Sequence, residues 1–276
     1  MTTTNDTPDY AELLREVVTV PGKMAECYQA FHHYSMGNQL LALWQIAERG
    51  LPIGPIASYV TWQARGRQVR KGEKALRLYM PITVKVPKDT TRVDGMEDAQ
   101  ASVSTRFILR PNWFTLAQTD AKPGTTQSEP EPEPADWDYA TAIVALGISE
   151  TCWNLIDGNC QGYALPAQHT IAINPLAQHP TRTRLHEVAH CLLHADSALE
   201  PDMGTLSRNE KELEAETTAY LVGAALGLGG AEESRAYVQH WFGSGTPIAD
   251  KMARRILAAT DKILTAGKPR SELRGH

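Results

Sequence analysis

The residues best suited to chemistry lie in the segment 183–194, TRLHEVAHCLLH, which contains the pattern His-Glu-x-x-His. An α-helix turns once in about 3.6 residues, so His186 and His190 would project from one face, one turn apart. Two imidazoles placed in this way can occupy neighbouring corners of a tetrahedral zinc site, and Glu187 then lies beside the open corner. The spacing therefore favours a metal site over a buried helix that carries the motif by coincidence.

A third ligand is expected from another part of the chain. His194 continues the four-residue spacing, but about 12 Å of helix rise separates it from His186, which is too far to share one ion. The segment 209–222 has small and apolar residues at helical spacing and predicts a second, partly buried helix. On that helix Glu212 and Glu216 share a face, which suits a ligand followed by an acceptor that holds a ligating imidazole through its other N–H. We expect His194 to bond a carboxylate or a backbone group instead.

These two motifs resemble the metallopeptidase domain of ArdC-type antirestriction proteins and, more distantly, the small metallopeptidases of the ImmA type. The resemblance rests on His-Glu-x-x-His at 186–190 and on Glu-x-x-Ala-Glu-x-x-Ala at 212–219. It implies a gluzincin-like site in which Zn²⁺ is bound by His186, His190 and Glu212. It also implies that Glu187 is the general base of a zinc metallopeptidase, which takes a proton from the attacking water and returns it to the leaving nitrogen. The neighbouring acids Glu210 and Glu214 are interpreted as solvated residues of a helix start, where Glu is favoured.

The composition is that of a protein with enough apolar residues for sizeable cores. Of its 276 residues 42% are hydrophobic, which allows one large domain or two ordinary ones. No apolar run reaches 18 residues, so we expect no membrane span, and the polar N-terminus lacks the layout of a signal peptide. The four cysteines form no Cys-x-x-Cys pair, and we expect reduced thiols in a cytoplasmic protein.

Charge and composition divide the chain into two parts. The net charge is −5, but residues 1–120 carry 14 basic and 12 acidic side chains, whereas residues 121–276 carry 13 and 20. Glu and Pro alternate in the segment 121–136, which favours an extended spacer. We therefore expect an α+β protein with domains at 8–120 and 137–267 joined by this linker. The resemblance implies that the first domain is an α+β module and the second a mainly helical, gluzincin-like peptidase with a small sheet.

Periodicity predicts the elements of both domains. In the first, helices are expected at Tyr10–Val18 and Lys23–Arg49, with a break near Ser35 and with Asn38 as the cap of the helix that follows. Strands are expected there at 76–86, 103–109 and 113–118, with a polar loop at 87–102. In the second domain the pattern predicts a helix at 137–145, a hairpin at 162–175, the two motif helices, and two closing helices between 231 and 266.

Basic residues concentrate in a short stretch of the first domain. Between Arg65 and Lys88 eight Lys or Arg side chains accompany a single acid, Glu73. Lys and Arg bind phosphates, and exposed bases stack on aromatic side chains, so aromatic residues around this cluster suit single-stranded nucleic acid. A solvated hairpin beside aromatic core residues explains the same composition equally well.

A second resemblance covers this region. YSxxNQLL at 34–41, WQxxGRQVRKGEK at 62–74 and FTLAQTD at 114–120 resemble the N-terminal domain of the same ArdC-type proteins, which binds single-stranded DNA. By position the resemblance implies that six residues lie near the strand, namely Asn38, Trp62, Arg67, Arg70, Lys71 and Lys74. Of these, Trp62 and Asn38 are the best candidates for a structural role.

Three functions follow from the sequence. The first is a phage or plasmid antirestriction protein that coats incoming single-stranded DNA and carries a peptidase domain. The second is a regulatory metallopeptidase that cleaves a repressor, a restriction enzyme or a host factor, with the N-terminal domain as a targeting module. In the third, the zinc is structural and the protein only binds DNA. Strong, salt-dependent strand binding favours the first function, and a specific proteolytic product favours the second.

Overall fold

The chain folds as a mixed α+β protein in which two compact units can be distinguished. A computed structural model describes residues 8–85, 103–124, 136–154, 160–195, 206–243 and 248–269. One unit is formed by Met1–Leu40 together with Glu131–His276, and the other by Leu41–Pro130. This grouping differs from the expected boundary, because it joins residues 8–40 to the C-terminal part of the chain. Residues 125–135 of the expected linker and the whole of the expected polar loop, 87–102, lie outside the described residues.

The first unit begins with two helices that the sequence predicted, α1 (Tyr10–Thr19) and α2 (Lys23–Phe31). Asp9 caps α1, and the backbone N–H of Tyr10 donates to Oδ1 of Asp250 at 2.7 Å. Their apolar faces are buried because they pack on helices from the C-terminal part of the chain.

Helix α3 (Met36–Glu48) begins three residues earlier than a helix capped by Asn38 would, so Asn38 is not its cap. The acceptor at its start comes from another helix, since the N–H of Met36 donates to Oδ1 of Asp261 at 2.6 Å. A local sequence pattern could not show this, because the two residues are 225 positions apart.

A small three-stranded sheet follows in the first unit. After α5 (Tyr139–Leu146), strands β6 (Ser149–Thr151), β7 (Gly162–Leu165) and β8 (Thr170–Ile173) are arranged in the order β6-β8-β7. β7 and β8 form the antiparallel hairpin that the sequence predicted, and β7 lies at the edge of the sheet. An edge strand leaves one row of backbone N–H and C=O groups open for pairing.

Four helices complete the first unit. They are α6 (Pro180–His194), α7 (Arg208–Ala225), α8 (Ala231–Gly243) and α9 (Asp250–Ala266). Small and apolar residues pack where three of them meet, at Ala189, Leu193, Ala215 and Ala259. Small side chains allow helix backbones to approach closely, so polar groups on α6, α7 and α9 lie within bonding distance of one another.

The second unit is built on strands. β3 (Leu76–Lys85) and β4 (Val103–Thr115) form a long antiparallel pair, and β1 (Ile56–Ser58) joins the other side of β4. β4 extends beyond the expected 103–109, so Trp113 and Phe114 continue it rather than start a new strand, and a 3₁₀ turn follows at Leu116–Gln118.

A second pair of strands, β2 (Arg67–Val69) and β5 (Thr119–Ala121), lies beside the short helix α4 (Tyr59–Ala64) in this unit. A cluster of Ala57, Trp62 and Val69 forms the core here.

No helix in the described part of the chain is long and apolar enough to cross a membrane. All four cysteines have free thiols.

Candidate metal centre

Helices α6 and α7 each begin with a local signal that fixes where their side chains point. α6 starts at Pro180, where proline is tolerated because the first N–H of a helix has no partner within the helix. α7 starts with a capping box, in which Ser207 accepts from the N–H of Glu210 and Glu210 accepts from that of Ser207. These starts place His186 and His190 on one face of α6, opposite Glu212 on α7.

Three ligand atoms from these residues converge. Nε2 of His186 and Nε2 of His190 are 3.1 Å apart, and Oε2 of Glu212 lies 3.3 and 3.6 Å from them respectively. Zinc binds imidazole nitrogen and carboxylate oxygen at about 2.0–2.2 Å, so the edge of a tetrahedral site measures about 3.3 Å. The three atoms therefore have the spacing of three corners of such a site. Within the described residues this is the group of His, Cys, Asp or Glu side chains that fits a metal ion.

Glu187 lies beside these atoms on a cleft of about 700 Å³. Its side chain is buried, and this burial raises the pKa of the carboxyl above its ordinary value, although the neighbouring imidazoles act in the opposite direction. A Cβ on Gly162 of β7 would lie 3.1 Å from Oε1 of Glu187 and 2.6 Å from Cγ2 of Thr183. Glycine at this position therefore lets the edge strand approach α6 next to Glu187.

The outer nitrogen of His186 faces Glu216. Nδ1 of His186 lies 2.8 Å from Oε2 of Glu216, which is 4% exposed, and the guanidinium of Arg182 donates to the other oxygen of Glu216. Burial lowers the pKa of His186, but the contacts with Glu212 and Glu216 outweigh it and raise this pKa to about 9. Glu216 thus occupies the place expected of an acceptor that holds a ligating imidazole.

The outer nitrogen of His190 faces a different partner, because Nδ1 of His190 lies 3.0 Å from Nδ1 of His194. Nε2 of His194 in turn lies 3.0 Å from Oε2 of Glu214, to which Arg255 also donates at 2.8 Å. His194 therefore bonds a carboxylate, as we expected. Glu214, however, is fully buried, so its interpretation as a solvated residue was wrong. Its position in the second turn of α7 directs it to α9 rather than to solvent.

The remaining polar side chains near the motif have other environments. Tyr163 lines the cleft, and its hydroxyl donates to Oδ1 of Asn154 at 2.9 Å, whereas Tyr220 is buried and outside the cleft lining. His179 precedes α6 and lies 3.5 Å from a carboxylate oxygen of Glu233. Arg208, one turn before Glu212 on α7, is exposed and does line the cleft.

The expected DNA-binding residues divide into buried or bonded residues and exposed residues. Trp62 is 0% exposed and its Nε1 donates to the carbonyl of Phe114 at 2.9 Å, so its ring cannot stack on a base in this conformation. Arg67 donates to Oγ1 and to the carbonyl of Thr119, which ties β2 to β5. Asn38 is half-buried within α3, in the part of that helix that belongs to the first unit.

The exposed members of this set lie around a second cleft, of about 610 Å³. Arg70 and Lys71 line it together with Tyr59, which is 39% exposed. Arg70 also donates to Glu73 and to the carbonyl of Ala117, which fixes its position. Lys74, in the same loop, is exposed. Sequence reasoning missed Tyr59, although a tyrosine three residues before Trp62 was visible in the motif region.

Comparisons with known proteins concern the N-terminal part of the chain and the fold. Residues 15–114 match the family model described as the N-terminal domain of anti-restriction factor ArdC. Over these residues the chain is similar to that domain. A metal-free crystal structure of the antirestriction ArdC protein from the R388 plasmid matches over 94% of this chain and 94% of that one, with a TM-score of 0.50 and 21% sequence identity, so this chain shares its fold. A Mn(II)-bound structure of the same protein gives a TM-score of 0.47 at 20% identity, over 94% of this chain and 95% of that one.

An uncharacterised protein of Bacillus anthracis is 25% identical to this chain over 292 residues. The match covers 91% of this chain and 48% of the relative, so this chain spans about half the length of that protein. The matched N-terminal family region, 15–114, does not coincide with either compact unit, since it includes residues of both.

Proposed function

We propose that the first unit is a metallopeptidase whose Zn²⁺, or another divalent metal, is bound by His186, His190 and Glu212. The observation that carries this proposal is the convergence of three ligand atoms at tetrahedral spacing beside a buried carboxylate. The zincin-like, gluzincin type of the domain is part of the proposal. A cleft bordered by an open edge strand supports a peptide substrate, because an extended chain can add to such an edge by backbone pairing.

In this mechanism a divalent metal, when bound, polarises the substrate carbonyl and lowers the pKa of the attacking water. Glu187 takes the proton from that water and returns it to the leaving nitrogen. Glu187 suits both transfers because its carboxyl is buried and lies on the cleft beside the three ligand atoms. β7 aligns the peptide, and the carboxylate of Glu216, 2.8 Å from the outer nitrogen of His186, keeps that ring oriented.

The test is Glu187→Gln, compared with Glu26→Gln, an exposed position on α2. We expect Glu187→Gln to bind Zn²⁺ with the affinity of the unsubstituted chain and to lose hydrolysis of a peptide library by at least about 100-fold. Mn²⁺, the metal in one of the solved structures above, is titrated in parallel. Undiminished hydrolysis by Glu187→Gln would rule out its role, and absence of any stoichiometric metal binding would rule out the site.

We also propose that the second unit binds single-stranded DNA through the cleft that Tyr59 and Lys71 line, with Lys74 beside it. Arg67 and Arg70 support this surface by holding β2, β5 and the connecting turn in place. The phenol ring offers a face for base stacking, and the two lysines offer charge to phosphates. The R388 relative is described as an antirestriction protein. We infer that this chain also protects incoming DNA from restriction, which places it among mobile-element proteins of the cytoplasm.

Fluorescence anisotropy of the full chain with labelled oligonucleotides tests this. We expect tighter binding to single strands than to duplex, with a log–log salt slope that decreases by about 0.7 in Lys71→Ala. Tyr59→Leu should lose about 1–3 kcal/mol of binding free energy per stacked base, whereas Tyr59→Phe, which keeps the ring, should not. Equal binding of single strands and duplex near physiological salt would contradict the proposal.

The regulatory alternative remains distinguishable by its product. The cleft favours a protein substrate, and a repressor, a restriction enzyme or a host factor would each yield a defined fragment when incubated with the metal-loaded chain. Protection of DNA from a restriction enzyme by Glu187→Gln as well as by the unsubstituted chain would assign antirestriction to DNA binding. Loss of protection in that variant would assign it to proteolysis.

A further inference from the structure

The two histidines of the metal centre are supported in different ways. His186 contacts a carboxylate directly, and that carboxylate, Glu216, is held by Arg182. His190 reaches the same kind of carboxylate–arginine pair, Glu214 with Arg255, only through the intervening imidazole of His194. We call the partners of each ligating histidine an arm: Glu216 and Arg182 form the arm of His186, and His194, Glu214 and Arg255 form the arm of His190. Both arms end on a buried carboxylate that an arginine neutralises, but the arm of His190 is one residue longer.

The second arm is continuous and well enclosed. Its three contacts measure 3.0, 3.0 and 2.8 Å from His190 to His194, to Glu214 and to Arg255. The side chains of His194 and Glu214 are 4% and 0% exposed, and that of Arg255 is 19% exposed. Since α6, α7 and α9 each contribute a member, the arm connects the metal centre to the packing of the whole helical layer.

The direction of hydrogen bonding along this arm follows from the ligand atom. If Nε2 of His190 binds metal, its Nδ1 carries the hydrogen and donates to Nδ1 of His194. Nε2 of His194 must then carry a hydrogen, and it donates to Glu214, which also accepts from Arg255. Each donor meets one acceptor, and both imidazoles are neutral. If His190 instead bound metal through Nδ1, that nitrogen would carry no hydrogen and could not donate to His194, so the hydrogen-bond chain would be broken at its first step.

We propose that His194, Glu214 and Arg255 are positioning residues that fix the tautomer and ring orientation of His190 for metal binding. This inference rests on the proposed metal site and deepens it. Removing an outer partner of a ligating histidine typically lowers metal affinity by about 10–100-fold. A purely structural arm would instead affect the stability of the metal-free chain and leave its intrinsic metal affinity unchanged.

His194→Phe tests the proposal, because phenylalanine keeps a ring of similar size and removes both nitrogens. His194→Gln is the conservative variant, since its amide can accept from His190 and donate to Glu214. Cys191→Ala, a buried position on the same helix, is the control. Zn²⁺ affinity is measured by competition with a chromophoric chelator, the Co²⁺ absorption spectrum reports ligand geometry, and urea unfolding of the metal-free chain reports stability.

We expect His194→Phe to bind Zn²⁺ about 10–100-fold more weakly than the unsubstituted chain and to show an altered Co²⁺ spectrum. His194→Gln should recover most of the Zn²⁺ affinity. Cys191→Ala should match the unsubstituted chain in Zn²⁺ affinity and in its Co²⁺ spectrum. If His194→Phe does not fold, Glu214→Gln is measured in its place, with weaker metal binding again expected. Unchanged Zn²⁺ affinity and an unchanged Co²⁺ spectrum in the folded variant would overturn this inference but not the proposed metal site. Absence of metal binding by the unsubstituted chain would instead overturn the proposed metal site.

Discussion

Replacement of Gly162 by alanine tests the close approach between the edge strand β7 and the site helix α6. The added Cβ would lie 2.6 Å from Cγ2 of Thr183 and 3.1 Å from Oε1 of Glu187, whereas ordinary contacts lie at 3.4–4 Å. Thr183 cannot easily turn away, because it is 8% exposed and its Oγ1 donates to the carbonyl of His179 at 3.1 Å. The strand and the helix must therefore separate by about 0.8 Å at this point, the difference between 2.6 and 3.4 Å.

Two magnitudes follow from this separation. Inserting a methyl group into a packed contact costs about 1–3 kcal/mol, so we expect a loss of this size in the free energy of unfolding of Gly162→Ala. A displacement near 1 Å at a catalytic group can cost about 100-fold in rate, so we expect peptide hydrolysis to fall by about this factor. Metal affinity should change little, because the atoms nearest to the added Cβ belong to Thr183 and Glu187 and not to a metal ligand.

Urea unfolding, chelator competition and peptide hydrolysis measure these three quantities. The control is Gly229→Ala, since a Cβ at Gly229 meets nothing within 4 Å. We expect this control to be as stable as the unsubstituted chain or slightly more stable, because alanine restricts the unfolded chain. If Gly162→Ala unfolds at the same urea concentration as the control, the steric argument is refuted.

Three further predictions concern stability. Burial raises the pKa of Asp261 to about 7 from 3.8, so its ionisation opposes folding and stability falls as pH rises from about 4 to 7. Asp261→Asn, which keeps an acceptor for Met36, should flatten this part of the pH dependence of Tm, and an unchanged slope would contradict the assignment. Trp62→Phe should cost about 1–3 kcal/mol in urea unfolding without weakening DNA binding of the folded chain, because it leaves the carbonyl of Phe114 without its donor. The fragment 131–276 should lack a cooperative unfolding transition by circular dichroism, which the full chain should show.

The parts of the site that could be predicted from sequence are the pairs of side chains that lie one helix turn apart on the same face. The four-residue spacing of His186 and His190 and that of Glu212 and Glu216 fixes which side chains share a face. Two such faces could then be matched through the chemistry of a tetrahedral site. The hairpin at β7 and β8 and most helices were also predictable, because alternation and helical period are local signals.

The parts that could not be predicted depend on partners far along the chain. Glu214 is 41 residues from Arg255, and without that pairing an acid near the start of a helix is reasonably expected to face solvent. The start of α3 depends on Asp261 in the same way. In the second unit, the spacing of Arg67 within a basic cluster could not show that its guanidinium bonds Thr119. Charge is visible in a sequence, but its neutralisation by a distant partner is not.

The composition of the first unit has a consequence for the metal centre. Helices α1 and α2 pack on α7, α8 and α9, and Lys268 donates to the carbonyl of His32 at 2.9 Å. α7 carries Glu212, and α9 carries Arg255 at the end of the His190 arm. Helices α1 and α2 therefore stabilise the helices that position the metal ligands. The matched family region spans residues 15–114. A fragment that begins after this region would lack α1 and α2 and would therefore be separated from the helices that support its metal site.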